Sequence, residues 1–298
     1  MSQHGEPNPI IEYALLGVLA LLWGASYLFI KVAVAEIPPV TLIALRVSAA
    51  AVFLCLVIFV RAENFPRRLS TWRQLLVQSF FNCVGAWTLL AWGQQYVGSG
   101  LASVLNSTTP LFVFFITYFF TRHEPVEKRK LVGACTGVCG VILLVGVDVL
   151  AGLGQQVLGQ VAVTLGAVLY AFAAIYGKRF AHLSPSVTAA CTMIWGALFL
   201  VPLSLYLDQP WTLHPSAVAL ASAMALSVFS TALALMIYFR LINTLGSLGV
   251  TSQAYLRAAV GVALGIWVLG ESITLSAGVG LLAVIAGVII LNYPVKQR

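Results

Sequence analysis

The sequence predicts an all-α integral membrane protein whose ten transmembrane helices form two inverted repeats of five helices each. Three observations lead to this prediction. Hydrophobic residues make up 60% of the 298 residues and charged residues only 8%, whereas a soluble domain has about one quarter charged residues. The apolar residues fall into separate stretches of about 20 residues, the length that a helix needs to cross the hydrocarbon core of a bilayer. The second half of the chain repeats the residue pattern of the first half.

The apolar stretches set the positions of the helices. The predicted spans cover residues 11–34, 40–60, 74–96, 99–121, 130–147, 157–177, 186–206, 216–239, 246–269 and 274–292. Prolines stand in or beside the connections, where helices end most easily: Pro38, Pro39, Pro66, Pro125, Pro185, Pro210 and Pro215. The connections are short, so we expect no extramembrane domain. The first stretch lacks the small-residue cleavage site of a signal peptide.

The lysines and arginines predict the orientation of the chain in the membrane. If both termini are cytoplasmic, all 16 of them except Lys31, Arg46 and Arg257 lie in cytoplasmic segments, and the outer loops carry none. Such an asymmetry is the positive-inside pattern of membrane proteins. The net charge of +7 is therefore explained by topology, and we expect the lipid bilayer, not nucleic acid, as the partner of the basic residues.

The internal repeat becomes visible when the chain is shifted against itself by 147 residues without a gap. This shift pairs Lys31 with Lys178, Pro38 with Pro185, Leu101 with Leu248, Val113 with Val260, and Glu124 with Glu271. It predicts a first repeat over residues 1–147 and a second over 148–298. Because each repeat holds an odd number of spans, the second enters the membrane upside down. Inverted repeats are typical of transporters, whose substrate site lies near the midplane between the halves.

Several motifs along the chain carry a family resemblance. They are Trp23-Gly24-Ala25-Ser26 with Lys31 eight residues after Trp23, Pro38-Pro39 followed by Arg46, Gly100-Leu101-Ala102-Ser103 running to Pro110, and Leu269-Gly270-Glu271. With these motifs the whole chain resembles the EamA-type drug/metabolite transporters, and most of all the YddG-type aromatic amino acid exporters. The resemblance implies the drug/metabolite transporter fold, a multi-pass location in a bacterial inner membrane, and amino acid export.

The chain departs from the family pattern at two places. The fourth span ends Phe120-Thr121-Arg122-His123-Glu124, where the family has a Leu-Gly-Glu-like ending. Arg257 stands at the repeat position of Pro110, where many members carry a second proline. The arginine therefore indicates a property particular to this protein.

Arg257 is the first candidate for a substrate-binding residue, because it lies at the centre of the ninth span. A cation there costs about 2.5–3.5 kcal/mol on insertion scales. No Asp or Glu lies deep in any predicted span, and Glu12, the nearest, sits at the cytoplasmic edge of the first. We therefore expect a substrate anion to complete the site. The alternative is a structural arginine satisfied by backbone carbonyls and by Gln253 or Asn106.

The other predicted binding residues lie on the ninth span with Arg257, on its repeat mate, the fourth span, or on the first, third and sixth spans. Gln253 precedes Arg257 by one helical turn, and Asn106 and Pro110 are the repeat mates of these two residues. The proline is expected to free a backbone carbonyl near Asn106, which membrane proteins tolerate only against protein or a wet cavity. The remaining candidates are Trp23, Tyr27, Tyr170 and Asn82. Interfacial anchoring of the aromatic residues and interhelical hydrogen bonding of the amides are the alternative interpretations.

Three further basic residues are candidates for a gate or an interface. Lys31 and Lys178 are equivalent in the repeat and lie near opposite ends of the predicted bundle, although a snorkelling role for Lys31 is an alternative. Arg46 lies about 6 Å from the centre of its span. The glycines of helices 5 and 10 favour close helix packing, and a homodimer through these two helices is a further hypothesis. The cysteines lie in apolar stretches without a histidine or acid beside them, so we expect no metal and no cofactor.

The function predicted from these features is export of amino acids, aromatic ones preferred, by alternating access through a central cavity. A transporter of sugar phosphates or nucleotide-sugars is the first alternative, and it would favour a second deep cation that only Arg46 supplies. A passive channel is the second alternative. The lack of a deep acid disfavours cation–proton exchange. An enzyme is not expected, because no paired acids, histidine cluster or nucleophile–base pair lies at membrane depth.

Overall fold

The computed structural model describes residues 8–93, 96–97, 99–122, 127–260 and 275–293, and the regular structure of these residues is entirely helical. The α-helices are α1 (Pro9–Val34), α2 (Pro39–Val60), α3 (Leu69–Ser79), α4 (Gly85–Gly93), α5 (Ser99–Asn106), α6 (Thr109–Ile116), α7 (Lys128–Val145), α8 (Val157–Gly177), α9 (Pro185–Leu207), α10 (Ala217–Ser227), α11 (Ala234–Thr244), α12 (Gly246–Thr251), α13 (253–260) and α14 (Leu275–Asn292). The prediction of an all-α membrane protein is confirmed.

Three π-helices interrupt or extend these α-helices. Phe80–Val84 joins α3 to α4, Val228–Leu233 joins α10 to α11, and Thr117–Thr121 continues α6. A π-helix is a widened turn that is frequent at functional sites. The sequence does not distinguish it from an ordinary apolar helix.

The predicted helix starts are set by residues that favour the first helical turn. Pro39 and Pro185 occupy the first positions of α2 and α9, where a missing N–H costs nothing. The hydroxyl of Ser184 accepts a hydrogen bond from the Val187 amide at 3.3 Å, and Ser216 caps α10 in the same way.

Seven helical runs among the described residues are long and apolar enough to cross a membrane. They correspond to the predicted spans 1 to 4 and 6 to 8, with the third beginning at Leu69, five residues earlier than predicted. The fifth span is α7, which begins with three basic residues, and the tenth contains the shorter apolar helix Gly278–Asn292. The ninth contains α12 and α13, and its remainder, residues 261–269, lies outside the described residues. The count of ten helices therefore stays a prediction.

Parts of the predicted motifs also lie outside the described residues. They are His123-Glu124 and Leu269-Gly270-Glu271, together with the side chains of Tyr27 and Lys31.

Helices of the first half pack directly against helices of the second half. Helix α2 lies along α9, α1 against α10 and α11, and α4 against α8. The hydrophobic core runs continuously through these contacts, from Leu54 on α2 through Met193 on α9 to Leu235 on α11.

The glycines of α7 and α14 face each other. A Cβ on Gly140 would lie 2.6 Å from the backbone nitrogen of Val284, and one on Gly287 would lie 2.7 Å from that of Gly137. The two backbones are therefore in contact, which only glycine allows. The prediction that these glycines serve close helix packing is confirmed within the chain.

Candidate functional site

The fourth span is interrupted in the middle, where the proline predicts it. Helix α5 ends at Asn106, and α6 begins at Thr109, directly before Pro110. Three consecutive hydroxyls cap the carbonyls at the break. Ser107 donates to Val104 at 2.7 Å, Thr108 to Leu105 at 2.5 Å, and Thr109 to Asn106 at 2.8 Å. The carbonyl of Asn106 thus receives a side-chain donor in place of a helical amide.

The ninth span is interrupted at the corresponding place without a proline. Helix α12 ends at Thr251 and α13 begins at residue 253. The hydroxyls of Thr251 and Ser252 donate to the carbonyls of Leu248 and Gly249 at 2.9 and 2.6 Å. Under the 147-residue shift, the two breaks lie within three residues of each other. Broken helices at equivalent positions of two repeats are a recurring feature of transporter binding sites.

Arg46 lies in the middle of the helix bundle and only neutral groups hold it. The residue is 8% exposed. Its Nε donates to the hydroxyl of Thr231 at 2.6 Å, and its Nη2 donates to the carbonyl of Ser230 at 3.3 Å. The guanidinium also lies over the ring of Trp87, 3.9 Å from the ring centroid, which is a favourable cation–π contact. Its contacts among the described residues therefore leave the positive charge uncompensated by an acid.

Trp23 is bound to the same π-helix as Arg46. Its Nε1 donates to the carbonyl of Ser230 at 3.0 Å, so this oxygen accepts from both Trp23 and Arg46. The indole packs against Tyr238 with the ring centroids 5.4 Å apart. One turn of the eighth span thus holds an aromatic side chain and a cation together.

Arg257 and Tyr170 approach Arg46 from the second half of the chain. Both residues interact electrostatically with Arg46, and Arg257 does so as a repelling charge. A Cβ on Gly24 would lie 3.4 Å from the backbone oxygen of Arg257, so α1 packs directly against the Arg257 turn. Trp23 therefore shares a hydrogen-bond acceptor with Arg46, and Tyr170 and Arg257 lie within electrostatic range of it.

Three predicted amides are buried, and each has one atom without a hydrogen-bond partner among the described residues. Asn82 is 1% exposed, Asn106 is 4% exposed and Gln253 is 7% exposed. The atoms without a hydrogen bond are Nδ2 of Asn82, Oδ1 of Asn106 and Oε1 of Gln253. Leaving such a group unpaired costs about 1–3 kcal/mol. Unpaired buried groups are therefore uncommon in proteins and indicate positions where water or a ligand binds.

The acids among the described residues lie at the ends of the helices. Glu12 binds Arg240 at 2.7 Å and Thr244 at 2.8 Å. Glu63 accepts from Ser184 at 2.7 Å, and Asp208 accepts from the Thr41 hydroxyl at 2.8 Å. Among the residues that the structure describes, no group of three or more His, Cys, Asp or Glu side chains could hold a metal ion.

The predicted gate residues lie apart from this cluster or outside the described side chains. Lys178 follows the last turn of α8, in the short 3₁₀-helix Lys178–Phe180. Tyr27 and Lys31 lie on α1. Arg46, predicted to be a gate or interface residue, lies instead among the binding candidates.

Sequence reasoning missed four residues of the cluster: Trp87, Ser230, Thr231 and Tyr238. Ser230 and Thr231 carry a weak signal, because two adjacent hydroxyl residues stand near the middle of an apolar span. From the sequence, packing or interfacial anchoring explains Trp87 equally well.

The apolar helices, the packing of one half on the other and the polar centre between them define a multi-pass membrane transporter. Comparison with known proteins gives its family. The chain matches the EamA-like transporter family twice, over residues 10–146 and 157–293, and it belongs to this family. The two matches are displaced by 147 residues, which is the shift of the internal repeat.

Similar proteins include transporters from distant bacteria. The uncharacterized inner membrane transporter YedA of Escherichia coli K12 is 28% identical over 279 residues, covering 92% of this chain and 89% of that protein. The uncharacterized transporter YoaV of Bacillus subtilis 168 is 24% identical over 287 residues, covering 95% of this chain and 98% of that protein. A crystal structure with 14% identity has the same fold, with a TM-score of 0.81 over 98% of this chain and all of that one. The protein is thus a transporter of the inner membrane.

Proposed function

We propose that the protein exports amino acids, with aromatic ones preferred, by alternating access between its two halves. The observation that carries this proposal is the pair of cations at the centre of the bundle. Arg46 is buried among neutral groups, and Arg257 lies within electrostatic reach of it. Two cations that repel each other in a low-dielectric region favour an anion between them. A carboxylate about 4 Å from one of them gains about 4 kcal/mol at an effective dielectric constant of 20.

The surroundings of the cations support an aromatic cargo. Trp23 shares the Ser230 carbonyl with Arg46 and packs against Tyr238, and Tyr170 lies within electrostatic range of Arg46 and Tyr238. The unpaired atoms of Asn82, Asn106 and Gln253 are available for the polar groups of an amino acid. Small-molecule sites typically combine apolar walls with a few polar groups in this way. Export as the direction, and amino acids as the class, follow the resemblance to the YddG-type exporters.

The contacts at the helix ends support the proposed topology, with both termini cytoplasmic. Glu12 binds Arg240, and Glu63 binds Ser184; all four residues are predicted to be cytoplasmic. Glu36 accepts from the Ser216 amide at 2.6 Å, and both are predicted to be on the outer side. The division into repeats over 1–147 and 148–298 and the gate roles of Lys31 and Lys178 are part of the same proposal. A homodimer through the fifth and tenth spans, α7 and α14, would use their lipid-facing surfaces, because the glycines of these two helices already face each other.

A second candidate cargo is a small metabolite with more than one negative charge, such as a sugar phosphate or a nucleotide-sugar. The specific observation in its favour is that Arg46 supplies the second deep cation that such a cargo needs. The aromatic neighbours favour the amino acid. A passive channel for either cargo is distinguished by the absence of trans-stimulated exchange.

The experiment is counterflow in proteoliposomes loaded with an aromatic amino acid. Amino acids and sugar phosphates are added outside as competitors, and the wild type is compared with Arg257→Ala. The proposal expects competition by amino acids alone and a higher KM in the variant. Competition by sugar phosphates alone would establish the second candidate. An unchanged KM in Arg257→Ala would remove Arg257 from the carboxylate site.

A further inference from the structure

The π-helix Val228–Leu233 presents two oxygens to the guanidinium of Arg46. The carbonyl of Ser230 accepts from Nη2, and the hydroxyl of Thr231 accepts from Nε while it donates to the carbonyl of Leu226 at 2.9 Å. Thr231 is fully buried. Its hydroxyl therefore has both a donor and an acceptor, and its orientation is fixed.

The internal repeat shows that the widened turn does not need this hydroxyl. The first repeat has its own π-helix, Phe80–Val84, and the 147-residue shift places it on residues 227–231. In that turn Val84 stands where the second repeat has Thr231, and Met193 stands where the first repeat has Arg46. The turn thus forms with valine at this position. The threonine hydroxyl is present only in the repeat whose π-helix faces the arginine.

Among the residues that the structure describes, the contacts of Arg46 leave one edge of its guanidinium for a ligand. The Nε and Nη2 atoms on one side bind the π-helix, and the flat face lies on Trp87. The end of the fork, formed by Nη1 and Nη2, has the geometry that binds a carboxylate through two parallel hydrogen bonds.

We infer that Thr231 is a positioning residue of the transport site, which holds the guanidinium of Arg46 so that its Nη1–Nη2 edge meets the anionic group of the cargo. This inference rests on the proposed function. Without the hydroxyl, Nε loses its acceptor and the guanidinium is held on its inner side by Ser230 alone. Anion affinity then falls while the turn itself remains.

The test compares Thr231→Val, Thr231→Ser and Thr192→Val in proteoliposome counterflow. Thr192 is a matched control, because it is also fully buried and its hydroxyl donates only to its own helix, to Thr188 at 2.7 Å. KM and kcat are measured for the best anionic cargo of the wild type and for its methyl ester, which lacks the negative charge. Thr231→Val is expected to raise the KM of the anion about tenfold with kcat retained.

The two other variants and the methyl ester decide whether Thr231 acts by positioning Arg46. Thr231→Ser is expected to restore the wild-type KM, Thr192→Val to leave it unchanged, and the methyl ester to be transported equally by all variants. An unchanged anion KM in Thr231→Val, or an equal rise for the methyl ester or in Thr192→Val, would overturn the inference. If Thr231→Val does not elute as a monodisperse protein, Thr231→Ala takes its place with the same expected results.

The same experiment keeps the two proposals apart. If the wild type exchanges sugar phosphates and no amino acid, the proposed function fails, and the Thr231 variants are then measured with the sugar phosphate. A tenfold rise in KM for that anion still supports the positioning role of Thr231, and an unchanged KM contradicts it.

Discussion

Replacing Arg46 by methionine should separate cargo binding from stability. Methionine is the residue that the second repeat carries at the equivalent position, and Met193 is fully buried there. The fold therefore accommodates this side chain in the same type of environment. The variant removes the charge and its hydrogen bonds without introducing a shape that is foreign to the site.

The opposing energies of this change nearly cancel in the folded protein. The substitution loses a cation–π contact of about 2 kcal/mol and two hydrogen bonds from a charged donor, each about 1.5–3 kcal/mol. It also removes the cost of burying a cation among neutral groups, which is about several kcal/mol per ion. We expect the melting temperature to change by less than about 5 °C. A bound carboxylate, in contrast, loses about 4 kcal/mol of attraction, which is about a thousandfold in affinity.

The assay measures cargo affinity and melting temperature on the same purified protein. Arg240→Met is the matched control, because Arg240 is half-exposed near the end of α11 and binds Glu12, whose side chain is 2% exposed. That variant leaves the buried Glu12 carboxylate without its cationic partner and with only the Thr244 hydroxyl among the described residues, so it should lower the melting temperature and leave the affinity unchanged. The two variants thus have opposite expected effects. An Arg46→Met protein that melts more than about 10 °C lower and binds its cargo normally would show that Arg46 stabilises the fold and does not bind the cargo.

Three further predictions concern the helix ends and the packing. Adding Glu12→Gln to Arg240→Met should restore part of the lost stability, because the unpaired buried charge disappears; thermal unfolding of the single and double variants checks this. Hydrogen bonds from Ser216 lower the pKa of Glu36 below 4.5, so its carboxylate stabilises the fold above about pH 4.5 and this contribution is lost as the pH falls through the lowered pKa. The free energy of unfolding, measured from pH 7 to 3, should therefore lack this part of its pH dependence in Glu36→Gln. Gly140→Ala should lower the melting temperature by more than about 5 °C, because its Cβ would meet the backbone of α14 at 2.6 Å. Gly17→Ala, with no atom within 4 Å of its Cβ, should not.

The positions of the helices could be predicted because a bilayer leaves few alternatives. An apolar stretch of about 20 residues can satisfy its backbone in the membrane only as a helix or in a closed barrel. Pro39 and Pro185 then mark the helix starts. The repeat could be found because a single shift of 147 residues aligns Pro and Lys as well as apolar residues.

The composition of the site could be predicted only in part. Arg257 is conspicuous because it stands alone at mid-span, and Pro110 indicates a break. The equivalent break at Ser252 has no proline, and hydroxyls cap its carbonyls instead. Hydroxyl residues are common throughout membrane helices, so they do not mark this break in the sequence.

The contacts of Arg46 with the π-helix and with Trp87 could not be read from its position in the second span. Counting residues gives the depth of a side chain but not its neighbours, and the Thr231 that binds it is 185 residues away in the sequence. The π-helix that turns this threonine toward the arginine has no signature of its own in the sequence. Long-range packing thus decides which groups surround Arg46.

Counterflow across liposomes tests directly whether Arg46 and Arg257 form a transport site for amino acids. The protein is reconstituted, the vesicles are loaded with unlabelled phenylalanine, and uptake of labelled phenylalanine is followed in competition with sugar phosphates and with organic cations. If Arg46 and Arg257 form this site, uptake of labelled phenylalanine is saturable and trans-stimulated. Amino acids inhibit this uptake, and organic cations do not. Uptake that organic cations drive and anions leave unaffected would contradict a transport site built around Arg46 and Arg257.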